Sequence, residues 1–166
     1  MADRSGGDAG SAGDDRGLLP DMAQRWATRL YNFVGRFLGD FGVAEDLVQE
    51  TMVRAVRTVA RAPDELVGKA LLYTIARSVC LDEIRRRMRT PKSVSLEMDP
   101  SAGDGPMQER VRLAVSALPD PLREVLVLSV YEGFRYREIA ELAGCSIATV
   151  AARKAEALER MKEMLS

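Results

Sequence analysis

The sequence contains no histidine and only two cysteines, and aromatic residues make up 5% of it. Each scarcity closes off a class of function. A zinc site of the usual Cys/His type needs ligands this chain does not have. Cys80 and Cys145 both fall on apolar positions of helical patterns and read as small buried hydrophobes rather than a redox pair. No apolar run approaches the roughly 18 residues of a membrane span. The Gly/Asp/Ser-rich N-terminus lacks the basic-then-apolar order of a signal peptide, so a cytoplasmic location without membrane insertion is expected. No metal-binding acid cluster and no nucleophile–base set stands out either. The expectation is therefore no catalytic residue, no metal, no cofactor and no small-molecule substrate.

What is abundant points to helices. Hydrophobic residues make up 46% and charged residues 30% of the 166. A chain rich in Leu, Ala, Val, Met, Arg and Glu but poor in aromatics and Thr favours an all-α fold. Residues 1–21 are small, acidic and without periodicity, as in a disordered tail. A helical block follows over 22–89. It is broken at Gly39-Asp40-Phe41-Gly42 and at "RAPDELVG" (61–68), which predicts helices near 22–38, 44–60 and 68–89. Residues 90–108 are rich in Pro, Gly, Ser and Asp and read as a flexible linker, too long for an ordinary loop. Helical patterning returns over 109–166, broken at "LPDP", "EGFR" and Gly144-Cys145-Ser146. The plan is two small helical domains on a strap, each small enough to depend on a partner for part of its stability.

The stretch "YREIAELAGCSIATVAARKAEAL" (136–158) has the spacing of a helix-turn-helix. Ala140 is where the two helices approach, Gly144 supplies a left-handed turn residue, and Ser146 can cap the second helix. Ile139, Leu142, Ile147 and Val150 would form its small core. The second helix then presents Ala148, Thr149, Ala151, Ala152 and Ala155, with Arg153 and Lys154 as its nearby cations. Base reading normally rests on Arg, Lys, Asn or Gln, so this reader should be weak alone.

Two further helices carry surface chemistry. "AEDLVQETMVRAV" (44–56) turns Leu47, Val48, Met52, Ala55 and Val56 inward. Asp46, Gln49 and Glu50 gather on the opposite face. Asp46 and Glu50 are like charges one turn apart, which costs an isolated helix roughly 0.2–0.5 kcal/mol. An amide between two acids suits a basic, polar partner helix. In "LLYTIARSVCLDEIRRRMRT" (71–90), Leu72, Ile75, Ala76, Val79 and Ile84 face in. Arg77, Arg85, Arg86, Arg87 and Arg89 are expected outside, where dense positive charge can follow a nucleic-acid backbone. Tyr73 and Thr74 would add a stacking surface and a hydroxyl, and Asp82 can pair with Arg85 or Arg86.

The segments "AEDLVQETMVRA", "LLYTIARSVCLDEIRRR" and "ALPDPLREVLVLSVYEGFRYREIAELAGCSIATVAAR", in this order around a linker, resemble the extracytoplasmic-function group of bacterial RNA polymerase sigma factors. The likeness runs from about Trp26 to Leu165. It implies that residues 22–89 form the domain that binds the polymerase clamp and recognises the −10 element. The "DLVQE" surface, with Asp46, Leu47, Gln49 and Glu50, would dock on the coiled coil of the β′ clamp. Arg77, Ser78, Arg85 and Arg86, with Tyr73 and Arg89 beside them, would meet the −10 region, and loop 61–68 would capture an unstacked base. Residues 109–166 would read the −35 element through Ser146, Ala148, Thr149, Ala151, Ala152, Arg153 and Lys154, and would touch the β flap. The implied partners are core RNA polymerase, promoter DNA and an anti-sigma factor.

The sequence departs from the family's habit at Leu71, usually Trp, at Ser78, usually Asn, and in its alanine-rich recognition helix. Two alternatives stay open. One is a stand-alone helix-turn-helix regulator, which would need a dimer helix or a ligand pocket. The other is a sigma-like protein acting only through protein contacts.

Overall fold

The computed structural model describes residues 19–61, 68–90 and 105–166, with side chains from Gln24 onward. Most of loop 61–68, most of the linker and most of the N-terminal tail therefore lie outside the described residues. Seven α-helices and no strand are found among those described. They are α1 (Leu19–Leu38), α2 (Ala44–Arg61), α3 (Lys69–Arg89), α4 (Pro106–Ala117), α5 (Asp120–Leu126), α6 (Tyr136–Ala143) and α7 (Ile147–Leu165). Helix α5 runs on without a break into a π-helical turn, Val127–Tyr131.

Local chemistry explains most boundaries. Gly39 takes φ of 68° and ends α1. The next residue, Asp40, accepts the Gly42 amide at 2.9 Å and so shapes the turn into α2. Glu45 and Asp46 in the first turn of α2 and Arg61 in its last complement the helix dipole. Pro106 and Pro121 stand in the first turns of α4 and α5, where a missing amide costs nothing. Helix α4 thus begins inside the stretch read as linker, and α1 begins inside the stretch read as tail.

The first three helices pack on one another, and α1 shows why that is only half the core. Leu30, Phe33, Val34, Phe37 and Leu38 recur at helical spacing and are all buried. Each such burial stabilises by about 1.5–3 kcal/mol. One side of this wide stripe meets α2 and α3. The other meets α4, α5 and the π-helical turn, so the two halves of the chain share one continuous apolar core. Glycine permits a close approach: a Cβ on Gly39 would come within 3.3 Å of Ser116 on α4.

Polar groups also cross the boundary. Arg123, only 5% exposed, donates from Nε to the Phe37 carbonyl at 2.7 Å. It also donates to the Leu118 carbonyl at 2.6 Å and pairs with Asp120. One guanidinium thereby satisfies the orphan carbonyls ending α1 and α4. On the first half, Arg87 bridges Asp40 at 2.7 Å and Glu83 at 3.1 Å. Glu83 is buried, yet hydrogen bonds from Arg86 and then Arg87 hold its carboxyl below the usual range against the effect of burial.

Replacing Arg123 by Met keeps the volume but strands the Phe37 and Leu118 carbonyls. The expected loss is about 1.5–3 kcal/mol, the worth of a charged hydrogen bond, read by urea denaturation.

Candidate functional site

Helix α2 packs along Ala44, Val48, Thr51 and Ala55, all buried. Val56 lies one residue, about 100°, beyond that line. It was expected inside but is 48% exposed. The same line leaves Asp46 and Gln49 fully outward, with Leu47 and Glu50 half-buried beside them. The four are thus brought together as one surface. The repulsion between Asp46 and Glu50 is relieved by a residue sequence reasoning missed. Arg54, one turn on, donates to Glu50 at 2.9 Å and to Asp82 of α3 at 3.1 Å. Those bonds, the one to Glu50 first, raise the Arg54 pKa. Its signal was the Glu-x-x-x-Arg spacing.

Beside this face, between α1 and α2, lies a cavity of about 570 Å³. Tyr31, Asn32, Glu45, Val48 and Gln49 line it. The Asn32 Oδ1 is buried and has no hydrogen-bond partner among the described residues.

Helix α3 divides lengthwise. Thr74, Ser78, Arg85, Arg86 and Arg89 are exposed as expected. Tyr73 and Arg77 are not. Tyr73 is 0% exposed, packed edge-on against Phe33 at 4.9 Å and against Phe134 of the second half at 5.0 Å. Its hydroxyl donates to Glu132 at 2.6 Å. Burial, then that hydrogen bond, push the phenol pKa well above its usual value. Arg77 pairs with the buried Glu124 of α5. Arg87 turns in as well, to Asp40. These three were expected outside. Tyr73 and Arg77 face inward because α3 is sandwiched between its own domain and the second one, whereas Arg87 turns to Asp40 and Glu83 of its own domain. Asp82 takes Arg85 at 3.3 Å, while Arg86 pairs with Glu83 at 2.8 Å instead. Cys80 is fully buried, and burial drives its thiol pKa far up, so it is an inert apolar group.

The helix-turn-helix forms as spaced. Gly144 takes φ 66° and ψ 38°, and the Cys145 amide donates to the Ala140 carbonyl at 3.1 Å. Ser146 caps α7 by accepting the Thr149 amide at 3.0 Å. Ile139, Ala140 and Val150 are buried, with Ala157 and Met161 continuing the inner line. Ile147 is the exception: expected in the core, it is 51% exposed, because the first residue of α7 projects ahead of the packed face. Ala148, Ala151, Ala152 and Ala155 share the open face, with Thr149, Arg153 and Lys154 half-buried at its sides. Lys154 leans over the Tyr136 ring at 5.2 Å, and Glu156 pairs with Arg160 at 2.9 Å.

Among the described residues no group of three or more His, Cys, Asp or Glu could hold a metal ion. No described helix is long and apolar enough to cross a membrane.

An all-helical chain with a helix-turn-helix behind an acid-faced helical domain defines a class of DNA-binding protein, and comparison with known proteins narrows it. Residues 22–90 match Sigma-70 region 2, and residues 108–161 match Sigma-70, region 4. The chain is 30% identical over 139 residues to the ECF RNA polymerase sigma factor SigC of Mycobacterium tuberculosis, covering 80% of this chain and 75% of that protein. It is 29% identical over 133 residues to the ECF RNA polymerase sigma factor EcfG of Rhodopseudomonas palustris, covering 76% and 74%. The sigma factor RpoE from Bartonella quintana, solved in complex with the anti-sigma factor NepR, superposes with a TM-score of 0.73 at 28% identity. That match covers 87% of this chain and 96% of RpoE. The chain belongs to the extracytoplasmic-function group of the sigma-70 family: it is an alternative sigma factor, a transcription initiation factor and not an enzyme.

Substituting Ser146 by Ala removes the cap of α7. Unfolding should become easier by about 0.5–2 kcal/mol, seen as a lower urea midpoint with unchanged helical content.

Proposed function

We propose that this sigma factor docks on the β′ clamp of core RNA polymerase through Asp46, Leu47, Gln49 and Glu50 and carries it to a promoter. There Ser78, Arg85, Arg86 and Arg89 meet the −10 region, joined by Tyr73 and Arg77 once these are uncovered. Residues 109–166 engage the −35 element through α7 and meet the β flap. The observation that carries this reading is the pairing, in one chain, of an exposed acid–amide face with a helix-turn-helix whose open face is alanine. A reader with so few donors gains its occupancy from tethering, since polymerase raises its effective concentration at the promoter. Small side chains let the helix sit close to the DNA backbone and respond to groove shape.

The cavity beside Gln49 extends the clamp surface and suits a protruding polar side chain of the partner helix. The solved complex of RpoE with NepR supports an anti-sigma factor among the partners. The work of a sigma factor is done in the cytoplasm, and the location read for this chain follows from its family.

Transcription in vitro with core polymerase on a genomic DNA library, with start sites mapped, tests the whole reading. Specific starts that depend on the chain support it. Sequence-selective binding by the free chain, with no effect on core polymerase, would make it a stand-alone regulator.

Two substitutions test the parts. Asp46→Lys should weaken holoenzyme assembly about tenfold or more in a core-polymerase pull-down. Glu50→Lys should weaken it less, because Glu50 is already engaged by Arg54. Ala151→Arg should strengthen −35 duplex binding by about 1–3 kcal/mol, the worth of one good bidentate base contact, read by fluorescence anisotropy at fixed salt.

A further inference from the structure

Four side chains of the first domain form an unbroken line of ion pairs across its surface. Arg54 of α2 donates from Nε to Glu50 at 2.9 Å and from Nη2 to Asp82 of α3 at 3.1 Å. The other oxygen of Asp82 accepts from Arg85 at 3.3 Å. One end of the line, Glu50, lies in the acid–amide face of α2. The far end, Arg85, lies among the exposed cations of α3. The neighbouring Arg86 stands outside it, because its two bonds, each 2.8 Å, go to Glu83.

Every inner member of this line is shared. Arg54 divides its donors between two acids, and Asp82 divides its oxygens between two arginines. A guanidinium fork fits a single carboxylate better, with two parallel bonds. Arg54 is therefore poised to move wholly onto whichever acid is left to it. Arg85 makes the longest of the three bonds and its side chain is 68% exposed, so it is the member that lets go.

We propose that Arg54 is a positioning residue that couples the two faces: a partner cation engaging Glu50 turns Arg54 onto Asp82, and Arg85 is released to a DNA phosphate. This rests on the reading of α2 as the clamp face and α3 as the −10 helix. The coupling is reciprocal, as any coupling between binding sites must be. A phosphate that takes Arg85 leaves Asp82 to Arg54, and Glu50 is freed for the clamp. Polymerase and promoter each strengthen the hold on the other, with no movement of the helices. Side chains alone carry the message.

The test uses the full chain with Glu50→Ala, which withdraws Glu50 from Arg54 as a partner cation does. Glu45→Ala, at an exposed acid of the same helix, removes the same charge and is the control. Each is made alone, with Arg54→Lys, which keeps the charge but loses the fork, and with Arg85→Gln. Circular dichroism checks that helical content is kept. Fluorescence anisotropy with a labelled single-stranded oligonucleotide of mixed sequence, titrated at several low salt concentrations, reads DNA binding.

Glu50→Ala should tighten binding by about twofold to fivefold, the reach of one exposed ion pair. Its salt dependence should steepen by about 0.7 in log–log slope, one further phosphate on a single strand. Glu45→Ala should gain less and keep the original slope. With Arg54→Lys or Arg85→Gln present, the effect of Glu50→Ala should fall to the control's. Equal gains from the two alanine variants overturn the proposal. So does a Glu50→Ala gain that survives Arg54→Lys, or the absence of binding in every form. Failure of the underlying reading shows elsewhere: Asp46→Lys then binds core polymerase undiminished, whatever the anisotropy gives.

Discussion

Tyr73 carries a large ring that must stay dry and a hydroxyl that must find an acceptor, and among the described residues that acceptor is Glu132 of the second domain. Phe33 covers one side of the ring and Trp26 stands edge-on at 6.4 Å, but the remaining face and the hydroxyl are completed by Phe134 and Glu132. Aromatic contacts of this kind add about 0.5–1.5 kcal/mol each beyond the area they bury. Around this point the other cross-domain contacts fall into line: Lys69 one turn before, Arg77 one turn after, and Arg123 riveting α5 to the end of α1. A domain pair built on grease alone would be hard to part. Here charges and hydrogen bonds, groups that water can satisfy on separation, stand beside the apolar core that the two halves share.

The arginines divide accordingly. Arg77, Arg87 and Arg123 are engaged by Glu124, Asp40 and backbone carbonyls within the protein. Arg85, Arg86 and Arg89 remain in water, although Arg85 and Arg86 lean on neighbouring acids. Exposed pairs of that sort are worth about 0–1 kcal/mol and yield readily to a polyanion. The basic charge evident along residues 77–89 is therefore two populations with different duties, structural and available.

Helix ends were legible in the sequence because their causes are local. Gly39-Asp40, Pro119 through Pro121, Gly133 and Gly144 each act within a few residues, and the helices begin and end where they stand. The acid face of α2 and the alanine face of α7 were legible for the same reason, since helical spacing alone sets which residues share a side. The domain contact was not. An arginine four residues after a tyrosine looks the same whether it meets solvent or a carboxylate from 47 residues away. One hint was available in "PLREVLVLSV", which is apolar apart from Arg123, Glu124 and Ser129. A helix without a polar side is covered on every side, which one small domain cannot do. Val56 and Ile147 misled for a simpler reason: an apolar residue just past the packed line, or at the first turn of a helix, matches the pattern while pointing away.

The breadth of the apolar stripe on α1 has a consequence for how the protein comes into being. A ribosome releases α1 well before the π-helical turn and Phe134, which lie 96 residues beyond Leu38. At ordinary elongation rates that is an interval of roughly 5–20 s. In its later part, once α2 and α3 have been made, Val34, Phe37 and Leu38 have those helices to one side but lack the cover that α4 and α5 give in the finished chain. During that interval the nascent first domain is a three-helix bundle with an oily flank, the kind of surface that holding chaperones recognise.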